Sequence, residues 1–510
     1  MRTKKSPMNK KILILSVFVV ASCGLAYELI AGAMSSYLLG DSILQFSTII
    51  GCYLFAMGVG AHFSKYVKDD DVLSRFVDIE LAVGLIGGLS AAILFMTFSW
   101  MAAPFRTLLY VMVFLIGALV GMEVPLVMRA LNTRQTEFSE LVSRVLTFDY
   151  LGALAVSLLF PLVLSPYLGL VRTGFLFGML NVGVGLWSIY VFRAELKNLT
   201  GRLLRACAVM LLLIAGFAMS DRMVAWGEHG LFGDQIVYST TTPYQRLVIT
   251  RWKDDTRLYI NGNLQFSSRD EYRYHEALVH PVLEALPWAR RVLVLGGGDG
   301  LALREILRYP HIEHVTVVDL DPAMTAAFTT RPELAQLNNG SFSDKRVTVV
   351  NADAAVWLRN NGDMFDAAIV DFPDPSSFAL GKLYSVPFYD LVKKHLAVKG
   401  LMVVQSTSPF FAPHAYWTIN STLREVGMRT WPYHAYVPSF GEWGFILASP
   451  QLDYTPPTKY RLPMRYLNAD TTREMFIFPP DMQPLPMAPN RLNTQSLVHE
   501  FEQDWNRVIR

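Results

Sequence analysis

The residues in this sequence best suited to chemistry are aspartates. Asp299 lies in the run Val292-Leu-Val-Leu-Gly-Gly-Gly-Asp-Gly300, where an apolar stretch ends in glycines and a helical pattern, Leu301 to Leu307, follows. Glycines at a strand-to-helix turn let a ligand approach the backbone closely. A turn made only for phosphate would reject the added anion, whereas a turn carrying Asp299 suits a cation. Asp319 and Asp353 each follow another apolar stretch, and Asp371 and Asp374 share the segment Ile369-Val-Asp-Phe-Pro-Asp-Pro375. An acid about twenty residues beyond a glycine turn suits ribose hydroxyls, and Asp319 has that spacing.

Alternating strands and helices are needed to position these groups. Apolar strands are expected at 292–295, 315–318, 347–350, 366–370 and 401–405, separated by helical stretches. That order predicts a doubly wound parallel sheet, which binds ligands beyond the carboxyl ends of its strands. One acid after a strand is commonly a helix cap, but capping alone does not account for four at successive strand ends. Upstream, residues 235–266 read as short antiparallel β-segments with a turn at Asp254-Asp255 and hairpin chemistry at Asn261-Gly262. Asp270 to Leu286 reads as a helix carrying Tyr274, His275 and Glu276. The expected domains are a membrane domain over 1–225, a small β-domain with its connecting helix over 226–290, a catalytic α/β domain over 291–450 and a proline-rich tail over 451–510.

Seven motifs stand in order: Leu258-Tyr-Ile-Asn-Gly-Asn-Leu-Gln-Phe266, Asp270-Glu-Tyr-Arg-Tyr-His-Glu276 followed by His280-Pro281, the glycine turn, Val318-Asp-Leu-Asp-Pro322, Asn351-Ala-Asp-Ala354, Ile369 to Pro375, and Leu383-Tyr-Ser-Val-Pro-Phe-Tyr389. This set resembles the spermidine synthases, the polyamine aminopropyltransferases, over roughly residues 235–450. The resemblance implies a Rossmann-like, class I methyltransferase-like sheet behind a small antiparallel β-domain. It implies transfer of the aminopropyl group of decarboxylated S-adenosylmethionine, a co-substrate rather than a cofactor, to putrescine, giving spermidine and 5′-methylthioadenosine. It also implies a homodimer or homotetramer. By the same resemblance Asp371 is the proton acceptor. Tyr274, His275, Asp299 and Asp374 contact the polyamine or the aminopropyl end, and Gln245, Gln265, Asp319, Asp353 and Ala354 surround the nucleoside. Trp443 matches an aromatic near the acceptor. No metal is implied, because no His/Cys ligand cluster exists and a sulfonium needs no Lewis acid.

Asp299 helps to choose the donor. S-adenosylmethionine carries a carboxylate on its amino-acid tail, and two like charges about 4 Å apart repel by roughly 4 kcal/mol at an effective dielectric near 20. The decarboxylated donor ends in an ammonium, which Asp299 attracts. The sequence departs from the family at Leu301, where a further glycine is usual. It departs again at Asp371-Phe-Pro-Asp-Pro375, where the family has Asp-Ser-x-Asp-Pro, and at Ser377-Phe378, where a Gly-Pro step is usual. The last two changes fall in the loop that covers the family's active site, so they bear on acceptor choice.

The first 225 residues hold the apolar excess of a chain that is 52% hydrophobic. Seven stretches are long enough to span a bilayer, near 12–34, 43–63, 76–98, 107–131, 145–167, 171–192 and 203–220. Arg2, Lys4, Lys5, Lys10 and Lys11 precede the first, which runs past Cys23 to Leu39 and is too long for a signal core, so it reads as an uncleaved span. A net charge of +2 gives no reason to expect nucleic acid, and the partners expected are the two substrates and a lipid bilayer. Cys23, Cys52 and Cys207 all fall in apolar runs, which leaves no disulfide framework or thiolate site in the C-terminal half.

Topology and chemistry pull in opposite directions. Lys65, Lys68 and Arg75, then Arg129, Arg134 and Arg144, then Arg193, Lys197, Arg202 and Arg205 follow the second, fourth and sixth spans. The positive-inside rule then puts the N-terminus in the cytoplasm and, after seven spans, the catalytic domain outside. The donor nucleotide is cytoplasmic, and on that ground the expectation is a multi-pass cell-membrane protein with its catalytic domain in the cytoplasm. Glu28, Glu80, Glu123 and Asp149 fall within or near spans, where ionisable groups are costly and often functional. Two other readings use the same residues. A methyltransferase shares the fold, but Asp299 and the Tyr-His-Glu stretch speak against it. A polyamine transporter or sensor without turnover is motivated by the acids in the spans, and the retention of both Asp371 and Asp374 speaks against it.

Overall fold

A computed structural model describes residues 8–39, 42–101, 104–132 and 138–508 of the chain; Arg2, Lys4, Lys5 and Arg134, weighed above for topology, lie outside them. The chain divides into two compact units, Met1–Gly233 and Asp234–Arg510.

The first unit is helical: α1 Met8–Leu39, α2 Ser42–Phe63, α3 Val72–Trp100, α4 Phe105–Asn132, α5 Phe138–Leu159, α6 Gly169–Val191 and α7 Leu199–Phe232. Residues 226–232, expected with the β-domain, instead continue α7. Among the described residues six runs are long and apolar enough to cross a membrane, and the fifth, Val142–Val191, has 50 residues. A straight helix of that length would measure about 75 Å, against about 30 Å of hydrocarbon. The run is not straight. After α5 it widens into a π-helix, Phe160–Leu168, where Pro161 and Pro166 remove backbone donors, and Gly169 at φ 75° ends it. It doubles back across α1: the Ser22 hydroxyl donates to the Gly152 carbonyl of α5, and the Cys23 thiol to the Phe177 carbonyl of α6.

The basic connections gather on one face. Arg129 donates to the Ser64 and Val67 carbonyls at 2.9 and 2.6 Å and pairs with Asp69. Lys197 pairs with Asp71 at 2.6 Å and Arg202 with Asp78 at 3.0 Å. At the other end of the bundle Arg172 holds Ser220 and Asp221 of α7. α7 therefore starts on the basic face, and the chain leaves the unit at the opposite one.

Small residues let the helices touch. Gly60 of α2 lies against the Ala118 carbonyl of α4, and Gly121 of α4 against the Met57 carbonyl of α2, each too close for a Cβ. Without water to drive helices together, such backbone approach is a main source of packing in lipid.

The second unit opens with a four-stranded antiparallel sheet of β1 Gln235–Thr241, β2 Arg246–Trp252, β3 Asp255–Ile260 and β4 Asn263–Ser267. Asn261 and Gly262 take φ 50° and 83°, the left-handed pair that a two-residue hairpin requires. The preceding turn falls one residue earlier than expected, at Lys253-Asp254, because Asp255 is fully buried and holds Ser267 and Arg257. Helix α8, Glu271–Ala285, leads into the large sheet.

That sheet has the order β10-β11-β9-β8-β5-β6-β7. Its parallel part comprises β5 Arg291–Gly296, β6 His314–Asp319, β7 Val347–Asn351, β8 Phe365–Asp371 and β9 Leu396–Gln405, all at the expected places. Between these strands run α9 Leu301–Leu307, α10 Pro322–Thr330, α11 Pro332–Ala335, α12 Ala354–Asn360, α13 Phe378–Gly381 and α14 Val386–Lys394. After α15, Pro413–Glu425, comes an antiparallel pair absent from the sequence expectation, β10 Arg429–Val437 and β11 Gly441–Ser449. The segment beyond Ser449 packs onto the unit: Tyr454, Leu467 and Met482 are buried, as is Met475 of α16, Ala469–Met475, and as are Leu497 and Val498 of α17, Ser496–Val508.

Replacing Gly121 by leucine should separate α2 from α4 and destabilise the detergent-solubilised protein by about 2–3 kcal/mol or more. A thermal melt matching that of the unaltered chain would contradict this packing.

Candidate active site

The large sheet reverses its order at β5, with β6 on one side and β8 on the other. A crevice forms beyond the strand ends at such a point. The glycine turn follows β5. Gly296, Gly297 and Gly300 sit at φ 83°, 63° and 75°, where side chains are strained. A Cβ on Gly296 would overlap the Asp371 carbonyl oxygen, and the Gly297 amide donates to that oxygen at 3.2 Å. Close backbone approach thus fixes the turn against the residue that carries the central carboxylate.

Asp371 ends β8. Its carboxylate accepts the Tyr274 hydroxyl of α8 at 2.5 Å. Burial pushes its pKa up to about 6; the neighbouring His275 pulls it down and Asp299 pushes it up. The Tyr274 ring packs on Phe445 at 5.2 Å and near Trp443 at 6.5 Å, and its phenol is raised by burial and by Asp371. His275 is buried, with Nδ1 at 2.8 Å from both the carbonyl and the carboxylate of Glu271. Burial lowers the affinity of the imidazole for a proton, but Glu271 outweighs it and the net direction is upward. Glu271 in turn takes both terminal nitrogens of Arg304.

One Asp299 oxygen accepts the Leu301 amide at 2.9 Å at the start of α9. Burial raises its pKa, with His275 opposing. Asp319 accepts the Asp321 amide at 2.9 Å, and burial lifts it to about 6. A Cβ on Gly298 would stand 2.6 Å from the Asp319 carboxylate, so that glycine keeps the turn open beside it.

Asp374 is held by groups from β9 and the residues after it. The Gln405 amide donates to it at 3.2 Å and the Thr407 hydroxyl at 3.4 Å; burial raises its pKa to about 6 against both bonds. Gln405 also binds the Phe372 carbonyl and the Tyr384 hydroxyl and accepts the Trp443 indole N–H at 3.2 Å. Thr407 is a β-branched residue at φ 56°, a strained state of the kind that gathers at functional sites. The loop after Asp374 is held from the chain's end: Asn490 donates to the Gly381 and Tyr384 carbonyls, and Val498 lies against Gly381.

The remaining expected residues lie further out. The Gln245 amide donates to Asp321 at 2.9 Å, which also accepts the Thr242 hydroxyl, so Gln245 reaches the strand-end region beside Asp319 through Asp321. The Gln265 amide turns back onto the Asn263 and Leu264 carbonyls and bonds to no other candidate residue among those described. Asp353 caps α12 through the Ala355 and Val356 amides and pairs with Lys382 at 2.7 Å. Burial raises its pKa, but Lys382 and the two amides bring the net direction down. Ala354, the first residue of α12, is buried. The structure therefore joins Tyr274, His275, Asp299, Asp371 and Asp374 around β5 and β8 and gives Asp353 a capping role at the β7 edge. Sequence reasoning missed Glu271, Asp321, Gln405 and Thr407. Two were visible as acids inside quoted motifs; Gln405 and Thr407 gave no local signal.

Comparison with known proteins bears on this arrangement. Residues 271–456 match the spermine/spermidine synthase domain. Polyamine aminopropyltransferase 1 of Ralstonia nicotianae is 66% identical over 512 residues, covering 99% of this chain and 97% of that one. The chain belongs to the polyamine aminopropyltransferase family. A Leptospira interrogans polyamine aminopropyltransferase is 48% identical over 497 residues, covering 98% and 99% of the two chains. A spermidine synthase crystallised with the transition state analogue AdoDATO aligns with a TM-score of 0.45 at 26% identity, over 48% of this chain and 86% of that one. As a member of the polyamine aminopropyltransferase family, the chain is a transferase of polyamine biosynthesis, with its catalytic chemistry in the second unit.

The raised carboxylates have a consequence for stability. Folded Asp374, with a pKa near 6, holds a proton that the unfolded chain, near 3.8, releases earlier. Stability contributed there is present at low pH and lost as pH rises from about 4 through 6, by up to about 3 kcal/mol. Asp374→Asn should therefore raise the melting temperature at pH 8 and lose that advantage near pH 4; an equal shift at both would contradict it.

Proposed function

We propose that this chain transfers the aminopropyl group of decarboxylated S-adenosylmethionine to putrescine, releasing spermidine and 5′-methylthioadenosine. The observation that carries the reading is the set Asp299, Asp371 and Asp374 at one strand-end crevice, two of them raised to about 6 by burial and none paired with Lys or Arg among the described residues. Such a site favours ligands that bring positive charge.

Asp299 leaves one oxygen for the ammonium end of the donor. Asp319 suits the ribose hydroxyls. Putrescine lies between Asp371 and Asp374, one nitrogen at each. The attacking nitrogen must give up one proton to free its lone pair, although a free amine has a pKa near 10. Asp371 orients that nitrogen and accepts its proton as the C–N bond forms. The C–S bond breaks with it, and the sulfonium leaves as a neutral thioether. The Tyr274 hydroxyl holds Asp371 in place and favours its ionised form. Gln405 and Thr407 hold Asp374 against the far amine, with the Trp443 ring beside it.

Asp371→Asn should lower kcat by two or more orders of magnitude in an assay of methylthioadenosine release. In the unaltered enzyme kcat/KM should fall below about pH 6 as Asp371 takes up a proton. Near-normal turnover of the variant would remove Asp371 from the mechanism.

We place the second unit on the cytoplasmic side of a cell membrane, where the donor is made. The chain leaves the helical unit opposite the basic connections, so this reading sets substrate supply above the Lys/Arg bias. A reporter active only in the cytoplasm, fused after Arg510, should be active; activity only from an exported reporter would overturn the assignment.

A further inference from the structure

The helical unit contains polar groups that its packing leaves unmet. Glu80 of α3 and Glu123 of α4 are 0% and 1% exposed, and Asn181 of α6 is 0% exposed. Asn181 donates its amide to one Glu80 oxygen at 2.9 Å. The other Glu80 oxygen, the Glu123 Oε1 and the Asn181 Oδ1 are buried without a hydrogen-bond partner. Neither acid pairs with a Lys or Arg among the described residues. Tyr27 of α1, 2% exposed, also has an unpartnered hydroxyl. That hydroxyl is within electrostatic reach of Glu123, Tyr53 and Glu80, and Glu123 is within reach of Glu80 and Asp149.

Five of the groups come from different helices but share one depth: Tyr53, Glu80, Glu123, Asp149 and Asn181 stand about 12–17 Å in from the ends of their helices on the basic face, at 1.5 Å per residue. That is the inner part of the membrane, where a buried acceptor without a donor costs several kcal/mol and ionisable groups mark ligand paths. The three unmet groups on Glu80, Glu123 and Asn181 are acceptors. The Tyr27 hydroxyl offers them one hydrogen, but the acceptors outnumber it and two of them are carboxylates, so a cation with several donors suits the remainder. A primary ammonium has three N–H donors and no acceptor.

We propose that the helical unit binds a primary alkylammonium group between Glu80, Glu123 and Asn181, as a second amine site apart from the strand-end crevice. It stands independently of the transfer reaction proposed above. The occupant is an aliphatic amine with an unsubstituted –NH3+ end.

The test uses the full chain in lipid nanodiscs, with Asp374→Asn present to weaken amine binding at the crevice, and radiolabelled putrescine in equilibrium dialysis. Saturable binding should remain in this background, and adding E80Q and E123Q should weaken it at least tenfold. Butylammonium should displace the label, whereas tetramethylammonium, which has no N–H, should not. Binding unchanged by E80Q/E123Q, or equal displacement by both cations, would overturn the site. On the otherwise unaltered chain, E80Q/E123Q should leave methylthioadenosine release intact, which shows that the variant folds. If that release is lost, Asn181→Leu decides: it should weaken putrescine binding severalfold, and no change would overturn the proposal. Altered proton uptake without altered amine binding would also refute it, by making the carboxyls proton carriers only.

Discussion

Buried negative charge without a resident cation is the constraint around which the second unit is organised. Asp299, Asp319, Asp371 and Asp374 stand beyond the ends of the parallel strands, and burial raises each of them. The fold holds these acids through donors that stop short of neutralising them: the Tyr274 hydroxyl on Asp371, the Leu301 amide on Asp299, the Asp321 amide on Asp319, and the Gln405 and Thr407 side chains on Asp374. Neutral donors fix geometry while leaving the charge for a ligand. His275, which faces both Asp299 and Asp371, is itself tied to Glu271.

Where a full counter-charge is present, the acid does structural work. Asp353 pairs with Lys382 and caps α12; Glu305 lies between Arg304, Arg308 and His280. The contrast divides the acids of this unit by environment rather than by residue type. The helical unit repeats it: Asp69, Asp71 and Asp78 meet basic side chains near the helix ends, whereas Glu80 and Glu123 lie further along their helices, are buried and meet none among the described residues.

Much of this could be read from the sequence because it is local. Apolar runs of strand length placed β5 to β9, and those that end in glycine or aspartate placed Asp299, Asp319 and Asp371 with them. What could not be read depends on distant chain segments. Gln405 and Thr407 matter because β9 lies next to β8, a pairing no local pattern declares. Glu271 takes its place only through Arg304, which lies 33 residues away in the sequence. Asp353 matched a nucleoside-contact motif, yet Lys382, from the next loop but one, pairs with its carboxylate. β10 escaped notice because Pro432 interrupts its pattern, which is tolerable only because it is an edge strand. In the helical unit the apolar runs were plain, but the reversal at Gly169 rests on a single residue in the left-handed region.

The segment beyond β11 also bears on the crevice. Asn490 and Val498 hold the loop that follows Asp374, although Asn490 lies 109 residues beyond Gly381 in the sequence. Losing that segment would leave every strand of the large sheet in place and still release the loop, so the shape of the crevice depends on residues that lie outside the sheet.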